Sequence, residues 1–567
     1  MAADADGGPH PDGTANGADA GSVYPPPTNP MVTALLTDMY QITMAYAYWK
    51  AGKHEEPSVF DLLFRKSPFG GEYTVFAGLE ECIRYAANFR FTPADLAYLR
   101  TVLPSTTEPG FFDYLAALDA RAVRIEAIAE GSVVFPRVPL MRVEGPLLVC
   151  QLLETVFLTL VNFASLVATN AARHRAVAGP DKTLLEFGLR RAQGPDGGIS
   201  ASRYAFLGGF DATSNVEAGR LFGIPVRGTH AHAFVSSFLS LADLPERSLP
   251  RADGTRCDDF VSLVQGKLRQ LKETPAVAGW FGETNESELA AFISYAQAFP
   301  RAFLALVDTY DVIRSGLPNF VAVALGLAEC GYRALGVRLD SGDLAYQSKE
   351  ARKLFRGVEA AFHVPGFGSI GVTASNDINE STLEALNKQG HEIDTFGIGT
   401  HLVTCYAQPA LGCVYKLVEV RGQPRIKLSA DIDKVTIPGK KRPFRLYGKE
   451  GVALVDLLVG DDEPPPRAGE RILCRHPFLE SKRAYVAPQR VEPLYHLYWA
   501  GDKTGKGVQP LPALAALKEQ CKQELAAMRS DHLRALNPTP YKVSVTARLY
   551  NFIHDLWLNE APVGELA

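Results

Sequence analysis

The segment Arg338-Leu339-Asp340-Ser341-Gly342-Asp343 sets two carboxylates three residues apart around a Ser-Gly turn, just after a guanidinium. Carboxylates so spaced can hold a divalent cation or grip paired ribose hydroxyls, and the planar guanidinium forks onto a carboxylate or phosphate. Gly228-Thr229-His230-Ala231-His232 offers two imidazoles and a hydroxyl, the groups of a nucleophile or proton carrier. Ser375-Asn376-Asp377 and Gly397-Ile398-Gly399-Thr400 are phosphate-sized. Glycines let the backbone approach an anion, and amides at a following helix start donate to it. Arg190 and Arg191 precede Ala192-Gln193-Gly194-Pro195-Asp196-Gly197-Gly198, which reads as a flexible basic loop suited to a polyphosphate, and Asp308-Thr309-Tyr310-Asp311 adds two more carboxylates. Turn chemistry, a structural histidine or a solvated loop explains any one of these segments, but explains the set poorly.

The elements that must position these groups are short apolar runs that end in them: 183–189, 224–226, 303–307, 334–337, 369–373 and 395–396. Helix-length spacers separate the runs. A buried parallel strand reads as a continuous apolar run, and a βα barrel assembles its active site at the strands' carboxyl ends. The pattern predicts an α/β fold with a barrel over 166–404. Upstream, Leu35, Leu36, Met39, Ile42 and Tyr46 recur at helical spacing, with Gly52 as a stop. Segments 123–128 and 132–135 alternate with Gly and Pro, which predicts an antiparallel sheet within a domain over 29–165. A hairpin from 413–420 and 425–428 would complete that sheet in 405–480, making the sheet domain discontinuous with the barrel inserted in it. Helical patterns at 512–528 and 544–559 predict a small helical region over 481–567.

A hydrophobic fraction of 47% over 567 residues can supply several cores, and a net charge of −5 without clustered Lys and Arg argues against a nucleic-acid footprint. The eight cysteines show no C-x-x-C pair or zinc-type spacing, which points to a reducing cytosol. Residues 1–28 contain no Lys or Arg, so this acidic tail reads as disordered and not as a targeting peptide. The apolar stretch 147–160 contains Gln151 and Glu154 and is too short to span a bilayer, so it reads as a buried helix. Gly501 to Gly507 lacks phosphate-loop spacing, and the basic run Lys440-Lys441-Arg442 with Arg445 reads as an exposed turn.

Six ordered motifs give the chain a resemblance to the nicotinate phosphoribosyltransferases. They are Thr37-Asp38-Met39-Tyr40-Gln41, Phe64-Arg65-Lys66-Ser67-Pro68-Phe69-Gly70, Glu186-Phe187-Gly188-Leu189-Arg190-Arg191, Gly228 to His232, Arg338 to Asp343, and Phe396 to Thr400. The likeness runs from about residue 29 to the Lys542 to Tyr550 region. It implies an irregular α/β barrel of the type II phosphoribosyltransferase kind, working as a homodimer whose sites draw on both subunits. The implied reaction joins nicotinate to 5-phosphoribosyl 1-pyrophosphate with coupled ATP hydrolysis, the first step of NAD synthesis from nicotinate, and needs Mg2+ or Mn2+.

By matching motifs, His232 would carry a transient phosphoryl group, and Tyr40, Thr229, Arg338 and Phe187 would surround nicotinate. Phosphoribosyl pyrophosphate would meet Arg190, Asp340, Ser341, Gly342, Asp343, Ser375, Asn376, Gly399 and Thr400, with Asp340 and Asp343 holding the metal through the substrate. His230 stands where an apolar residue is expected, and His232 is preferred as the phosphoryl carrier because it keeps the T-x-A-H spacing. The sister nicotinamide phosphoribosyltransferases place an acidic residue after Gly-Thr, where this chain has His230. A quinolinate-using relative, a metal-dependent barrel hydrolase built on Asp340, Asp343 and His232, and a sensor without turnover are the other readings. Neither membrane nor nucleic acid is an expected partner.

Overall fold

The computed structural model describes residues 23–429, 431 and 434–561. Residues 1–22 of the expected tail lie outside the described residues. Its last part departs from the expectation, because Tyr24 is buried edge-on against Trp499, their ring centroids 5.6 Å apart. The chain forms two compact units, Met1–Leu166 with Ala410–Ala567, and Val167–Pro409. Two stretches, Leu147–Ala178 and Val312–Glu329, are long and apolar enough to cross a membrane, but 61% and 78% of their most apolar windows are buried inside the protein, as in core helices.

The discontinuous unit opens with helix Met39–Lys50 and contains two six-stranded sheets. In the first, Pro57–Phe64 lies between Cys413–Val420 and Met141–Pro146, both antiparallel to it. The hairpin partner expected at 425–428 is instead the two-residue strand Gln423–Pro424, the turn at Arg421 and Gly422 taking left-handed conformations. Strands from both sheets correct the expectation of a helical region over 481–567. Besides helices Leu514–Ala526 and Ala547–Glu560, that segment supplies strands Arg483–Val486, Arg490–Pro493, Tyr495–Trp499 and Lys542–Val545, Tyr495–Trp499 joining the first sheet and the other three the second. These strands run four or five residues between turns, too short for their alternation to stand out from sequence.

The basic run at 440–445 is likewise not an exposed turn. It enters strand Lys441–Tyr447, where Lys441 pairs with Asp61 and both are buried. Arg445 is buried too: its Nε and Nη2 donate to Asp456 at 2.8 and 2.9 Å, Nη1 to Glu524 at 2.9 Å, and Nη2 to the Val133 carbonyl at 2.7 Å. The Tyr541 hydroxyl donates to the same Asp456 at 3.0 Å. A buried charge is tolerable only when its partners meet it this fully.

The second unit is built on one parallel sheet. Its strands are β1 Thr183–Glu186, β2 Ala212–Thr213, β3 Leu304–Leu306, β4 Gly336–Leu339, β5 Gly371–Ser375 and β6 Thr395–Ile398. Their order is β3-β4-β5-β6-β1-β2, a barrel succession open at one seam, between β2 and β3. Run 224–226 was expected as a strand; it forms only a single parallel bridge, Val226 to Thr213. Helix Leu317–Glu329, buried along most of its length, and the amphipathic helix Leu344–Phe362 are crossovers between successive strands. Residues 194–198, expected as a flexible loop, open helix Gly194–Leu207, with a proline near its start where a missing N–H costs nothing.

Replacing Arg445 by Met leaves Asp456 buried and uncompensated, so the variant should lose about 3–5 kcal/mol. Thermal denaturation followed by circular dichroism checks this, with a drop of several degrees in the first transition expected and an unchanged curve counting against the network.

Candidate active site

Because the six strands are parallel, their carboxyl ends lie on one rim, and the expected residues of this unit follow those ends. Arg338 is in β4, Asp340 just beyond it, Ser375 ends β5, and Phe187 follows β1. Arg338 donates through Nε to Ser375 Oγ at 2.7 Å and through Nη2 to Asp340 Oδ1 at 3.1 Å. Ser375 Oγ in turn donates to the same Asp340 oxygen. The guanidinium stands 5.2 Å from the centroid of the Phe187 ring. Phe187 reaches this place because residue 397 lacks a side chain: a Cβ there would lie 2.4 Å from the ring. Two of Arg338's five donors are thereby engaged and its plane is held against an aromatic face, a geometry fit to recognise a flat carboxylate-bearing ring.

His232 begins the short helix His232–Ser236. Its Nδ1 lies 3.1 Å from Thr309 Oγ1, and its Nε2 faces two carboxylates, Asp308 Oδ1 at 3.9 Å and Asp340 Oδ2 at 3.8 Å. In the tautomer whose Nδ1–H donates to the threonine hydroxyl, the Nε2 lone pair is left as a nucleophile. The imidazole side chain is 46% exposed, whereas that of Asp308 is 3% exposed. Ser341 Oγ donates to Asp308 Oδ2 at 2.6 Å, and Asp308 Oδ1 has no hydrogen-bond partner among the described residues. Asp308, Thr309 and Asp340 thus surround the histidine from two strand ends.

Gly342 takes φ +76°, a conformation that admits the sharp turn before helix Leu344–Phe362, and Asp343 caps that helix by accepting from the Tyr346 N–H at 2.9 Å. The cap occupies one oxygen of the carboxylate expected to hold metal. Asn376 and Arg190 are exposed, Arg190 within the short helix Leu189–Arg191. Gly399 caps the single turn Thr400–Val403. The Thr229 hydroxyl donates to the His230 carbonyl at 3.2 Å. Tyr40 belongs to the other unit, where its hydroxyl donates to Glu154 at 3.1 Å.

His230 points inward. It is buried, and its Nε2 accepts from the Leu306 N–H at 3.2 Å. Burial pushes its pKa down to about 4, partly offset by a backbone contact with Ala231, while the charges of Arg338 and His232 lower it further.

Three polar residues of this unit escaped the expected site. Thr309 is a plain hydroxyl in an apolar-to-acidic turn, and nothing short of the fold marks it. Glu186 is buried at the end of β1, its carboxylate accepting from the Gly188 N–H and from the hydroxyls of Ser202 and Thr213. Glu288, in helix Glu286–Ala298, accepts from Ser315 and Asn319. Burial pushes its carboxyl up to about 7 against those hydrogen bonds, with Asp308 and Asp311 raising it further. The Asp308 carboxylate was legible as the polar end of an apolar run, but its pairing with His232 was not. In the other unit, a hollow of about 20 Å³ is lined by Asp61, Arg65, Arg137, Lys416, Lys434 and Lys441, a local excess of positive charge.

Residues 35–162 match the nicotinate phosphoribosyltransferase (NAPRTase) N-terminal domain, residues 183–454 the nicotinate phosphoribosyltransferase (NAPRTase) family, and residues 440–553 the nicotinate phosphoribosyltransferase C-terminal domain. The chain is 66% identical over 553 residues to nicotinate phosphoribosyltransferase 2 of Arabidopsis thaliana, covering 97% of this chain and 99% of the relative. It is 49% identical over 529 residues to nicotinate phosphoribosyltransferase of Homo sapiens, covering 93% and 97%. The crystal structure of human nicotinic acid phosphoribosyltransferase superposes with a TM-score of 0.83 at 47% identity, covering 92% of this chain and all of that one.

Glu288 offers a pH test of the rim. Its folded pKa of about 7 lies above the ordinary 4.5, so the folded protein holds the extra proton. The resulting stability is fully present below about 4.5 and is lost as pH rises through about 7. Glu288→Gln should flatten the fall in unfolding free energy, up to about 3 kcal/mol, that the parent protein shows across that window. Equal slopes in urea denaturation would refute the assignment.

Proposed function

We propose, since the chain belongs to the nicotinate phosphoribosyltransferase family, that it joins nicotinate to 5-phosphoribosyl 1-pyrophosphate and couples this to ATP hydrolysis through a phosphorylated His232. The products are nicotinate mononucleotide and pyrophosphate, on the route from nicotinate to NAD. The observation that carries the coupling is the setting of His232: one ring nitrogen is engaged by Thr309 and the other is open beside two carboxylates. Such a nitrogen can take the γ-phosphoryl group of ATP with ADP as leaving group. The new phosphate adds negative charge and acceptor oxygens at the rim, where they can order the loops that grip phosphoribosyl pyrophosphate.

In the bond-forming step the nicotinate ring nitrogen attacks the anomeric carbon while the carbon–oxygen bond to pyrophosphate breaks, so positive charge develops on the sugar and negative charge on the leaving group. Arg338 holds the nicotinate carboxylate with its remaining donors, and Phe187 backs the ring. Asp340 is placed for the ribose hydroxyls. The backbone at Gly399 and Thr400, with Ser375 and Asn376, takes the 5-phosphate, and Arg190 belongs to the same anion-binding rim.

A divalent cation, Mg2+ or Mn2+, supplies charge neutralisation at the departing pyrophosphate. Hard oxygen donors suit it, and the unpartnered buried Oδ1 of Asp308 together with Asp340 fits such an ion better than Asp343, whose carboxylate caps a helix. No group of three or more His, Cys, Asp or Glu side chains able to hold a metal is present among the described residues, which favours an ion carried in on substrate oxygens.

The resemblance, under which the amide-using sister enzymes carry an acid where this chain has His230, favours nicotinic acid over the amide, and the acceptor nitrogen of His230 is taken by the Leu306 N–H. The homodimer and the role of Tyr40 at nicotinate are part of the same proposal, as is the cytosol, whose reducing conditions suit eight free cysteines.

Incubation with Mg2+, phosphoribosyl pyrophosphate and either nicotinate or nicotinamide, with and without ATP, tests the reading; acid-specific mononucleotide rising with ATP is expected. Amide product would reassign the chain, and no product from either base would reject the activity. His232→Ala should abolish ATP stimulation while leaving the fold intact, and retained ATP-coupled turnover would remove its phosphoryl role. Arg338→Ala should raise the KM for nicotinate about ten- to a hundredfold, from one charge-assisted contact worth roughly 1.5–3 kcal/mol; an unchanged KM removes Arg338 from the acid pocket.

A further inference from the structure

The barrel succession is open between β2 and β3, and what spans the gap is a side chain. In a parallel sheet, alternate residues direct their main-chain groups to opposite neighbours. Along β3 the Leu335 N–H donates to the Phe303 carbonyl at 2.7 Å and the Val307 N–H donates to the Arg338 carbonyl at 3.1 Å, so the odd-numbered residues serve β4. Leu306 therefore turns its N–H to the open edge, where a seventh strand would have offered a carbonyl. Instead, segment 225–227 reaches only β2, with the Thr213 N–H donating to the Pro225 carbonyl and the Arg227 N–H to the Thr213 carbonyl. The chain leaves that pairing at Gly228, and His230 Nε2 accepts from the Leu306 N–H at 3.2 Å. The imidazole takes the place of a missing ladder rung.

Three aromatic rings fix the imidazole in this role. The centroids of Phe234, Phe292 and Tyr295 lie 5.4, 6.2 and 4.9 Å from that of His230, the last two carried on helix Glu286–Ala298. His230 is 9% exposed. Accepting at Nε2 requires the neutral imidazole, the form that burial favours.

The sequence positions give the bond its consequence. His230 precedes His232 by two residues, and Leu306 precedes Asp308 by two. One hydrogen bond thus ties the His230 segment to the end of β3 two residues before the point where the two segments meet, where His232 lies 3.9 Å from Asp308 and 3.1 Å from Thr309. We propose that His230 is a positioning residue that clasps the barrel seam and sets the register between the His232 loop and the Asp308-Thr309 loop. It touches no reacting atom and acts through His232, so its effect on turnover rests on the reading of His232 as the phosphoryl carrier.

The test uses the full chain and three substitutions. His230→Phe fills the aromatic cage but leaves the Leu306 N–H unpaired, His230→Asn is too short to reach it, and His230→Gln carries an oxygen at about the reach of Nε2. Amide hydrogen exchange, resolved to Leu306, should be about tenfold or more faster in His230→Phe and His230→Asn, and should return toward the parent rate in His230→Gln, because a buried amide without a partner opens more readily. ATP-coupled kcat should fall about tenfold in the first two with the KM for nicotinate within about twofold, and His230→Gln should recover most of it.

Unchanged exchange at Leu306 in both disrupted variants would overturn the clasp. Faster exchange with unchanged kcat would overturn the positioning role, and a Gln variant no better than Phe on both readouts would reject the hydrogen bond as the cause. Should His230→Phe fail to fold, the Asn and Gln pair decides the same question. If His232→Ala keeps ATP stimulation, the phosphoryl reading fails on its own, while the Leu306 exchange rate still decides the clasp.

Discussion

The hydrogen-bonded parallel ladder of the Val167–Pro409 unit is the constraint on which the rest depends. Parallel strands joined by helical crossovers must all point the same way, so every strand delivers its last residues to one rim. Arg338, Ser375, Phe187 and Asp308 lie up to 188 positions apart in the chain, yet they are neighbours of one another or of shared partners because β1, β3, β4 and β5 run in register. Nothing local to these segments could assemble them. The ladder is incomplete only at the β2–β3 seam, and it is there that the loop bearing His232 emerges.

Charge at this rim is arranged with partial satisfaction. Arg338 meets one carboxylate oxygen and one hydroxyl, which keeps its guanidinium oriented while leaving donors for a ligand. Asp308 is buried with one oxygen satisfied by Ser341 and the other without a hydrogen-bond partner among the described residues. Burying a carboxylate so poorly matched costs free energy, and a site that later receives a cation or a charged substrate is where such a cost is recovered. The contrast lies in the other unit, where Arg445 and Asp456 satisfy each other and recruit Glu524, Tyr541 and a main-chain carbonyl. That network is closed and structural; the rim is open and chemical.

Apolar runs announced most of the barrel strands because a strand buried on both faces has no polar register to hide it. The run at 224–226 reads the same way, but with Pro225 in it and His230 taking over at the edge, it makes one bridge instead of a strand. Short strands at 483–499 were missed since four or five residues between prolines and turns give too few alternations to rise above a loop. The cations at 441 and 445 were misread for a different reason. A charged residue in a strand is assigned to water by default, and only the positions of Asp61 and Asp456 reveal that these two are buried and paired.

The sequence by itself determined residue types, their spacing along each strand end, and the family those spacings resemble, because such properties are local and survive without a fold. Thr229, Arg338, Asp340 and Ser375 could be marked as site candidates on that basis. Which imidazole faces the rim and which faces the core was decided only by tertiary structure. His230 and His232 are two residues apart in one motif and chemically identical, yet one is drawn inward by an unpaired main-chain N–H on a strand 76 positions away and the other is left facing two carboxylates. Partners so far along the chain become neighbours only when the ladder is formed, which is the physical reason the T-x-A-H spacing could prefer His232 as phosphoryl carrier but could not show where either ring points.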